Sequence, residues 1–442
     1  MMNENYLERK FLKSFDGSHS SDSFLRKPEK YGEIEKFSKD SKYLITMGSN
    51  YSYVPLAFEK NSTVINLLKF NRILSFSKQN KEITVEAGMK IFEFLNFTLN
   101  HKLWIPQLPG YPYISLGGTV ATNAHGKSCG EHGTIRKSIK KILLFHKNHG
   151  WLNLSKEENK EIFDLTIGGL GLTGTIVSIT FNLKEFDFTD FLTTKKRVYS
   201  TKDTIENLKI KDEENTFVYS WNTADSIKTF GCGYIFKSVP RKKFEKISKI
   251  EKSKQNNLRT PVCLWNNFTV KIFNKIYTSF LNLQQTEKSE NFLNVIFPFA
   301  GKENYFKLFG TRGFLESQLL VPNNILNDFL GEFKDLYKVH KPLITLFSFK
   351  ILSGEQKFLR FEGEGVCVTF DFVNSIKNHE FLKDLDQLCV KYNVLPSISK
   401  DSRISKNIFD KCYKDAEIFR EKLIQFDKHR VYRSEISKRL EI

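Results

Sequence analysis

The sequence has few of the residues that mark several common protein classes. Its 442 residues include only six cysteines, and no two of them form a C-x-x-C pair. This spacing argues against a zinc ribbon, a thioredoxin-type site and a small disulfide scaffold. The 11 prolines and 24 glycines are too few for a collagen-like or low-complexity chain. The 41 phenylalanines and 16 tyrosines instead predict a folded protein with large cores.

Long apolar stretches are also missing. No run approaches the roughly 18 apolar residues that a membrane span needs. The charged start, MMNENYLERKFLKSFDG, has no apolar core, so we expect no signal peptide and a cytoplasmic protein. The sequence contains no G-x-S-x-G elbow, H-E-x-x-H pair or Walker A lysine loop.

Acidic residues are outnumbered: 68 Lys and Arg against 50 Asp and Glu give a net charge of +18. This balance favours an anionic partner, such as nucleic acid, an acidic membrane, a phosphorylated substrate or a dinucleotide. A lysine-rich codon bias would give the same charge, and both interpretations stay open. The basic stretch at 239–254, VPRKKFEKISKIEKSK, is either a solvated helix face or a segment that faces anionic lipid or phosphate.

The pattern of predicted secondary structure changes near residue 185. Before it, short strand patterns alternate with glycine- and asparagine-rich turns, and the apolar spacing of 89–103 predicts a helix. The segment 135–155 predicts a hairpin that turns at 148–150. Beyond 185 the patterns are mixed, and from about 399 they are mostly helical. We therefore expect an α+β protein.

Three segments rich in small residues lie within the first 175 residues. They are MGSNYSYVP (47–55), LPGYPYISLGGTVATNAHGKSCGEHGTI (108–135) and GGLGLTG (168–174). The last contains G-x-G-x-x-G, but a β-branched strand pattern follows it, so we reject a Rossmann turn. Such loops can lay backbone N–H groups along a phosphate or a flat ring. The alternative is a set of tight structural turns around a core His125.

A metal site is a weaker interpretation of the middle segment. His125, Cys129 and His132 have spacings that suit a helix, but the glycines between them argue against one. We expect no metal. Further along, SKDSR (399–403) places Lys400 either among surface ion pairs, with Asp401 or Ser402 capping a helix, or in a site as a fixed positive charge.

In this order, the three segments resemble the vanillyl-alcohol-oxidase class of FAD-dependent oxidoreductases, and within it the polyprenylphosphoryl-ribose oxidases. SKDSR, the terminal KRLEI and the strand pattern GEGVCVTFDF also resemble that group. The resemblance implies a two-part FAD-binding domain with an inserted α+β substrate domain on an antiparallel sheet. The implied parts are 1–188 for the FAD domain (PCMH type), 189–395 for the substrate domain, and 396–442 as a segment returning to the FAD domain.

The resemblance also implies roles for individual residues. Lys400, Cys367 and Tyr53 would be catalytic, with Lys400 beside the flavin ring, and Gln318, Lys350 and Lys127 would bind substrate. The residues implied to hold FAD are Gly48, Ser49, Asn50, Tyr51, Ser52, Gly110, Ser115, Leu116, Gly117, Gly118, Thr122, Asn123, Ala124, His125, Gly171, Gly174 and Ile176. Many relatives tether FAD to a histidine in Gly-x-Gly-His-Ser. Tyr51 stands in its place here, so we expect non-covalent FAD.

The implied reaction is oxidation of a sugar carbinol to a ketone, with hydride transfer to flavin N5. The substrate would be a polyprenyl-phosphate-linked pentose, and the alternative is a soluble sugar oxidised by an aldonolactone or alditol oxidase. The hydroxyl proton needs a base, which the sequence does not name, although His125 fits a flavin-loop residue better than a base. In the family pattern a glutamine precedes Gln318 by two residues, where this chain has Glu316.

Partners follow from the same resemblance. An NAD-dependent reductase would complete an epimerisation, and the basic charge predicts peripheral contact with an anionic membrane at its inner face. A nucleic-acid-binding protein is the alternative of another class. It predicts aromatic residues interleaved with Lys and Arg on a recognisable module, and the sequence shows none.

Overall fold

A computed structural model describes residues 8–127, 129–208, 216–241, 250–251 and 259–442. Of the basic stretch at 239–254, residues 242–249 and 252–254 lie outside the described residues, so its prediction stays untested. Within the described ranges, no helix is long and apolar enough to cross a membrane.

Strands form where β-branched and aromatic residues cluster between turn residues. In the described ranges they are β1 (Glu8–Lys13), β2 (Ser20–Arg26), β3 (Leu44–Met47), β4 (Thr63–Asn66), β5 (Ile73–Ser77), β6 (Glu82–Glu86), β7 (Leu103–Trp104), β8 (Ile139–His146), β9 (Gly150–Ser155), β10 (Thr175–Asn182), β11 (Lys184–Glu185), β12 (Asp190–Val198), β13 (Phe217–Asn222), β14 (Gly233–Arg241), β15 (Glu287–Asn291), β16 (Phe314–Pro322), β17 (Ile344–Leu352), β18 (Gly365–Val373) and β19 (Leu395–Pro396).

Helices form where apolar residues recur at helical spacing. They are α1 (Tyr31–Lys39), α2 (Ile91–Thr98), α3 (Leu116–Ala121), α4 (Cys129–His132), α5 (Lys160–Thr166), α6 (Thr201–Leu208), α7 (Asn267–Leu283), α8 (Phe292–Ile296), α9 (Asn304–Lys307), α10 (Leu326–His340), α11 (Ile376–Lys391), α12 (Lys406–Cys412), α13 (Ala416–Phe426) and α14 (Glu435–Leu440), with 3-10 turns at Leu99–His101 and Ile135–Ser138.

Three larger sheets organise the molecule. The first has the order β1-β2-β4-β3, in which β2 and β3 both run parallel to β4. The second, β5-β6-β10-β8-β9, and the third, β15-β12-β14-β13-β17-β18-β16-β19, pair in antiparallel fashion. Mixed helices and antiparallel sheets make this an α+β protein, as predicted.

The C-terminal segment packs against both halves of the chain. Its helices α12, α13 and α14 share one hydrophobic cluster with the eight-stranded sheet. Tyr432 packs instead in the cluster of the N-terminal sheets, and the amide of Leu44 donates to the carbonyl of Val431 at 2.8 Å. The domain boundaries at residues 188 and 395 stay predictions.

Local predictions and local structure agree at several points. The helix, the hairpin and the strand after the third glycine-rich segment are present as α2, β8–β9 and β10. The prediction that Asp401 or Ser402 caps the next helix is wrong. Ser405 is the N-cap of α12, and Asp401 instead closes a turn, accepting from the amides of Arg403 and Ile404.

Candidate active site

The three segments of small residues meet around one cavity of about 1190 Å³. The structure brings to this cavity all but one of the residues implied to hold FAD. They are Gly48, Ser49, Asn50, Tyr51, Ser52, Gly110, Ser115, Gly117, Gly118, Thr122, Asn123, Ala124, His125, Gly171, Gly174 and Ile176. The exception is Leu116, which is fully buried in the core and whose amide donates to the carbonyl of Met89. Leu116 therefore does not line the cavity, and its predicted contact with FAD stays a prediction.

Close packing of backbone explains the first glycine. Gly48 follows β3, and a Cβ added there would lie 2.0 Å from Ser115 Oγ and 2.9 Å from Ser115 Cβ. Ser115 is the N-cap of α3, and its hydroxyl accepts from the amide of Ser49 at 3.4 Å. The first two segments are therefore joined through this contact, which only a residue without a side chain allows.

The third segment closes against α3. The amide of Gly168 donates to the carbonyl of Val120 at 3.0 Å, and that of Leu170 donates to Ala121 at 2.8 Å. Gly171 has φ +78°, a conformation that glycine adopts without strain. The turn thus brings Leu170, Gly171 and Gly174 to the cavity, and β10 continues from it.

These walls suit a long cofactor that is held by backbone. A Cβ at Gly110 or Gly171 would meet protein atoms only at van der Waals distance, 3.5 Å or more, so these two positions are less tightly packed than Gly48. Two buried polar atoms on the wall, Ser49 Oγ and Asn123 Oδ1, have no hydrogen-bond partner among the described residues. Buried polar atoms normally have partners, so these atoms indicate a polar ligand. The residues present therefore fit FAD.

A chain of hydrogen bonds crosses the floor of the cavity. Lys350 Nζ donates to His125 Nδ1 at 3.3 Å, and His125 Nε2 donates to Gln318 Oε1 at 3.3 Å. Gln318 Nε2 in turn donates to Thr369 Oγ1 at 3.1 Å. All four side chains line the cavity. The chain offers both donors and acceptors, which is what a ligand rich in hydroxyl groups requires.

His125 is held as a neutral ring in this chain. Burial, and then the neighbouring Lys350 charge, lower its pKa well below the usual value. Because Nδ1 accepts from an ammonium group and Nε2 donates to Gln318, both nitrogens are occupied. This arrangement agrees with a structural role rather than a free base.

Cys367 is not among the residues that line the cavity, and its predicted catalytic role stays a prediction. It lies on the same face of β18 as Thr369 but is fully buried, and burial raises the pKa of its thiol. Its sulfur lies 3.8 Å from Thr369 Oγ1. Successive residues on one face of a strand are two apart, and the first of this series that reaches the cavity is Thr369.

Lys400 is fixed by the edge of the eight-stranded sheet. β19 pairs with β16, and the amide of Ser397 then donates to the carbonyl of Gln318 at 2.8 Å. The amide of Lys400 donates back to the carbonyl of Ser397, closing a turn. Its ammonium lies 3.3 Å from Glu316 Oε1 and 3.5 Å from the centre of the Tyr53 ring. A positive charge is therefore held at the cavity wall.

Lys127 lies among other cations. Its ammonium donates to the carbonyl of Val295 at 3.0 Å and sits 3.9 Å from the centre of the Tyr219 ring. Burial, and then the charges of Lys350 and Lys302, lower its pKa well below the usual value. All three lysines line the cavity. This crowding of positive charge favours an anionic ligand.

Sequence reasoning missed several lining residues. Asp371 and Tyr305 both reach the cavity, and Tyr305 donates its hydroxyl hydrogen to Asp371 Oδ2 at 2.9 Å. A signal for Asp371 was present, because Thr369 and Asp371 are polar residues two apart in an otherwise apolar strand. Helix α7 was also missed, and it contributes Phe273, Tyr277, Phe280 and Leu281 to the lining.

The described residues contain no group of three His, Cys, Asp or Glu side chains that is placed to hold a metal ion. His125 and His132 are among the described residues and belong to no such group.

Comparison with known proteins agrees with the cofactor inference. Residues 27–152 match the FAD binding domain family. The chain is 25% identical over 414 residues to decaprenylphosphoryl-β-D-ribose oxidase of Mycolicibacterium smegmatis, a match that covers 90% of this chain and 89% of that protein. It is also 25% identical over 186 residues to L-gulonolactone oxidase of Mus musculus, covering 40% of this chain and 41% of that one. L-galactono-1,4-lactone dehydrogenase of Arabidopsis thaliana is 23% identical over 174 residues, covering 38% and 28%.

Proposed function

We propose that this FAD-linked oxidoreductase oxidises a carbinol of a sugar carried on a lipid phosphate, with a polyprenyl-phosphate-linked pentose as the substrate. The observation that carries the proposal is the composition of one cavity wall. Backbone loops suited to FAD, a hydrogen-bonding chain at Gln318 and Lys350, and the lysines around Lys127 all border the same space. The hydroxyl groups of a sugar need the hydrogen-bonding chain, and a phosphate needs the lysines.

Bound FAD supplies a two-electron acceptor for the hydrogen of the carbinol carbon. The protein's own residues would hold and orient the substrate. Gln318 and Lys350 would bind sugar hydroxyls, and Lys127 would bind the phosphate. Tyr53 and Lys400 form the wall beside them, where Lys400 would stabilise negative charge that develops during the reaction.

The proposal of a lipid carrier is supported by α7. Phe273 and Phe280 line the cavity and are also 39% and 54% exposed, so they lie at its rim. Further apolar residues on the same helix face solvent: Phe268, Ile276 and Leu283 are 72%, 65% and 89% exposed. Several exposed apolar residues on one helix form a contiguous patch of the kind that marks an interaction site. Beside the lysines of α7, it suits an anionic membrane.

The match over most of the chain to a decaprenylphosphoryl-ribose oxidase supports the same substrate class. We propose in addition that an NAD-dependent reductase uses the ketone product, which would complete an epimerisation. The second candidate function, oxidation of a soluble aldonolactone or alditol, is favoured by the shorter matches to lactone-oxidising enzymes.

Anaerobic loss of flavin absorbance tests the proposal. The holoenzyme is mixed with a polyprenylphosphoryl pentose, the free pentose or an aldonolactone, and the rate of bleaching is compared. We expect fast bleaching by the lipid-linked sugar alone. Bleaching by the lactone without bleaching by the lipid-linked sugar would favour the second candidate instead.

A further inference from the structure

Two carboxyl groups lie opposite each other on neighbouring strands of the eight-stranded sheet. Glu316 of β16 and Asp371 of β18 are direct cross-strand partners, and both side chains line the cavity. Their residues are only 5% and 1% exposed. Directly opposed residues on one sheet face have Cβ atoms about 4.5–5.5 Å apart, and two like charges at that distance repel. A shared proton removes this repulsion.

The neighbours of the pair are unequal. Lys400 Nζ lies 3.3 Å from Glu316 Oε1, so a positive charge faces the Glu316 side of the pair. Asp371 Oδ2 accepts from the Tyr305 hydroxyl at 2.9 Å. Asp371 Oδ1 is buried and, among the described residues, has no hydrogen-bond donor. Glu316 Oε1 is likewise buried with no hydrogen-bond partner among the described residues, so each carboxyl group of the pair keeps one oxygen without a hydrogen-bond donor.

The electrostatics make Asp371 the proton-holding member. Burial first, and then the negative charge of Glu316, raise the pKa of Asp371 well above its usual value. The hydrogen bond from Tyr305 and the charge of Lys400 act in the opposite direction. A proton acceptor works best when its pKa lies near the working pH, and a raised carboxyl pKa moves in that direction.

Other titratable groups also face the pair. Tyr305 reaches it from α9, Lys400 from the turn after β19, and Tyr53 from the segment after β3. Burial first, and then both carboxylates, raise the pKa of Tyr53 well above its usual value. On β18 itself, Cys367 lies on the same face. From β17, Thr345 contributes a hydroxyl that hydrogen bonds Tyr305 at 2.7 Å.

We propose that the Glu316–Asp371 carboxyl pair is the proton acceptor of the reaction. The inference rests on the proposed function. The C–H bond of the carbinol breaks, and its electron pair leaves with the hydrogen as hydride, for which FAD is the acceptor. The O–H bond also breaks, its electron pair completes the C=O bond of the ketone, and its proton moves to ionised Asp371. The pair then returns this proton to solvent.

The first test is the pH dependence of anaerobic flavin bleaching by a polyprenylphosphoryl pentose. In the wild-type holoenzyme the rate should rise with pH through the raised pKa of Asp371. Asp371→Asn should slow bleaching by on the order of 10²-fold or more and abolish the inflection. Glu316→Gln removes the charge that helps raise that pKa, so the inflection should move to lower pH. Asp335→Asn, an exposed carboxylate on α10 paired with Lys338, is the matched control.

The second test needs no substrate. Infrared titration of the holoenzyme should show a protonated-carboxyl band that disappears at the pH of the kinetic inflection and is missing in Asp371→Asn. A variant rate and pH profile equal to the wild type would overturn the inference, as would a wild-type spectrum without the band. If no sugar bleaches the wild-type enzyme, the proposed function fails and the proton-acceptor role fails with it, whereas the band still shows whether the pair shares a proton.

Discussion

At the scale of single residues, charge and hydrogen bonding explain why this cavity suits redox chemistry. Lys400 is the cation held against Tyr53 and Glu316, and His125 is kept neutral between Lys350 and Gln318. Fixed charges and donors cost no reorganisation during a reaction, which is the main source of electrostatic stabilisation in enzymes. Two predictions belong to this scale.

The first concerns Lys400. Lys400→Ala should leave FAD bound but slow flavin reduction by on the order of 10²-fold or more, the scale on which one electrostatic stabiliser acts. Stopped-flow bleaching under anaerobic conditions measures the rate. Lys406→Ala is a suitable control, because Lys406 pairs with Asp410 on α12 and does not line the cavity. An unchanged rate in Lys400→Ala would contradict the assignment.

The second concerns the attachment of FAD. Tyr51 lines the cavity at the position where related enzymes carry a tethering histidine. Phenols ordinarily ionise near pH 10, so a tyrosine is a poorer nucleophile at neutral pH than an imidazole. Acid precipitation should therefore release free FAD into the supernatant. A yellow pellet, with the denatured protein heavier by one FAD, would show a covalent bond.

At the scale of elements, short loops and one amphipathic helix define the cavity. The loops depend on contacts between segments that are far apart in the chain, such as Gly48 against Ser115. Helix α7 differs, because one set of its side chains faces the cavity while another faces solvent. Each element therefore carries a separate prediction.

For the loops, Gly48→Ala should reduce the amount of FAD that co-purifies with the protein. The added Cβ would meet Ser115 Oγ and Cβ at 2.0 and 2.9 Å, so α3 or the loop must shift. The ratio of flavin to protein absorbance measures occupancy. Gly331→Ala in α10 is the control, since no atom lies within 4 Å of its added Cβ. Full occupancy in Gly48→Ala would show that the contact is not needed.

For α7, Ile276→Glu should weaken binding to anionic vesicles while FAD content stays the same. Ile276 is 65% exposed, so the substitution creates no buried charge, but it places a negative charge on the proposed membrane face. Vesicle co-sedimentation measures the effect. Ile418→Glu provides the matched control, because Ile418 is a 45% exposed isoleucine on α13 that does not line the cavity. Equal binding of both variants would remove α7 from the interface.

At the scale of the whole molecule, the C-terminal segment joins the parts. It shares a core with the eight-stranded sheet, while Arg433 pairs with Glu59 and donates its amide to Leu44 near the first sheet. The cavity lies where these units meet, since β3, α3, β16 and the turn after β19 all border it. Net charge also acts at this scale.

The net charge of +18 predicts electrostatic attraction to acidic membranes. Binding to anionic vesicles should fall steeply as the salt concentration rises, because salt screens the attraction between charges. The Debye length is about 10 Å at 0.1 M salt and becomes shorter at higher concentrations. Neutral vesicles should bind weakly at all salt concentrations. Salt-insensitive binding to both kinds of vesicle, or no binding to either, would argue against a membrane role.

The sequence by itself determined the cofactor loops and the α+β class. Each loop is a run of small residues that are neighbours in the chain, so its chemistry can be read locally. Tertiary structure alone decided which residues oppose each other. Strand register sets Glu316 against Asp371, brings Thr369 rather than Cys367 to the cavity, and buries Leu116 beneath it. Residues distant in the chain meet only through pairing and packing, and no local pattern encodes that register.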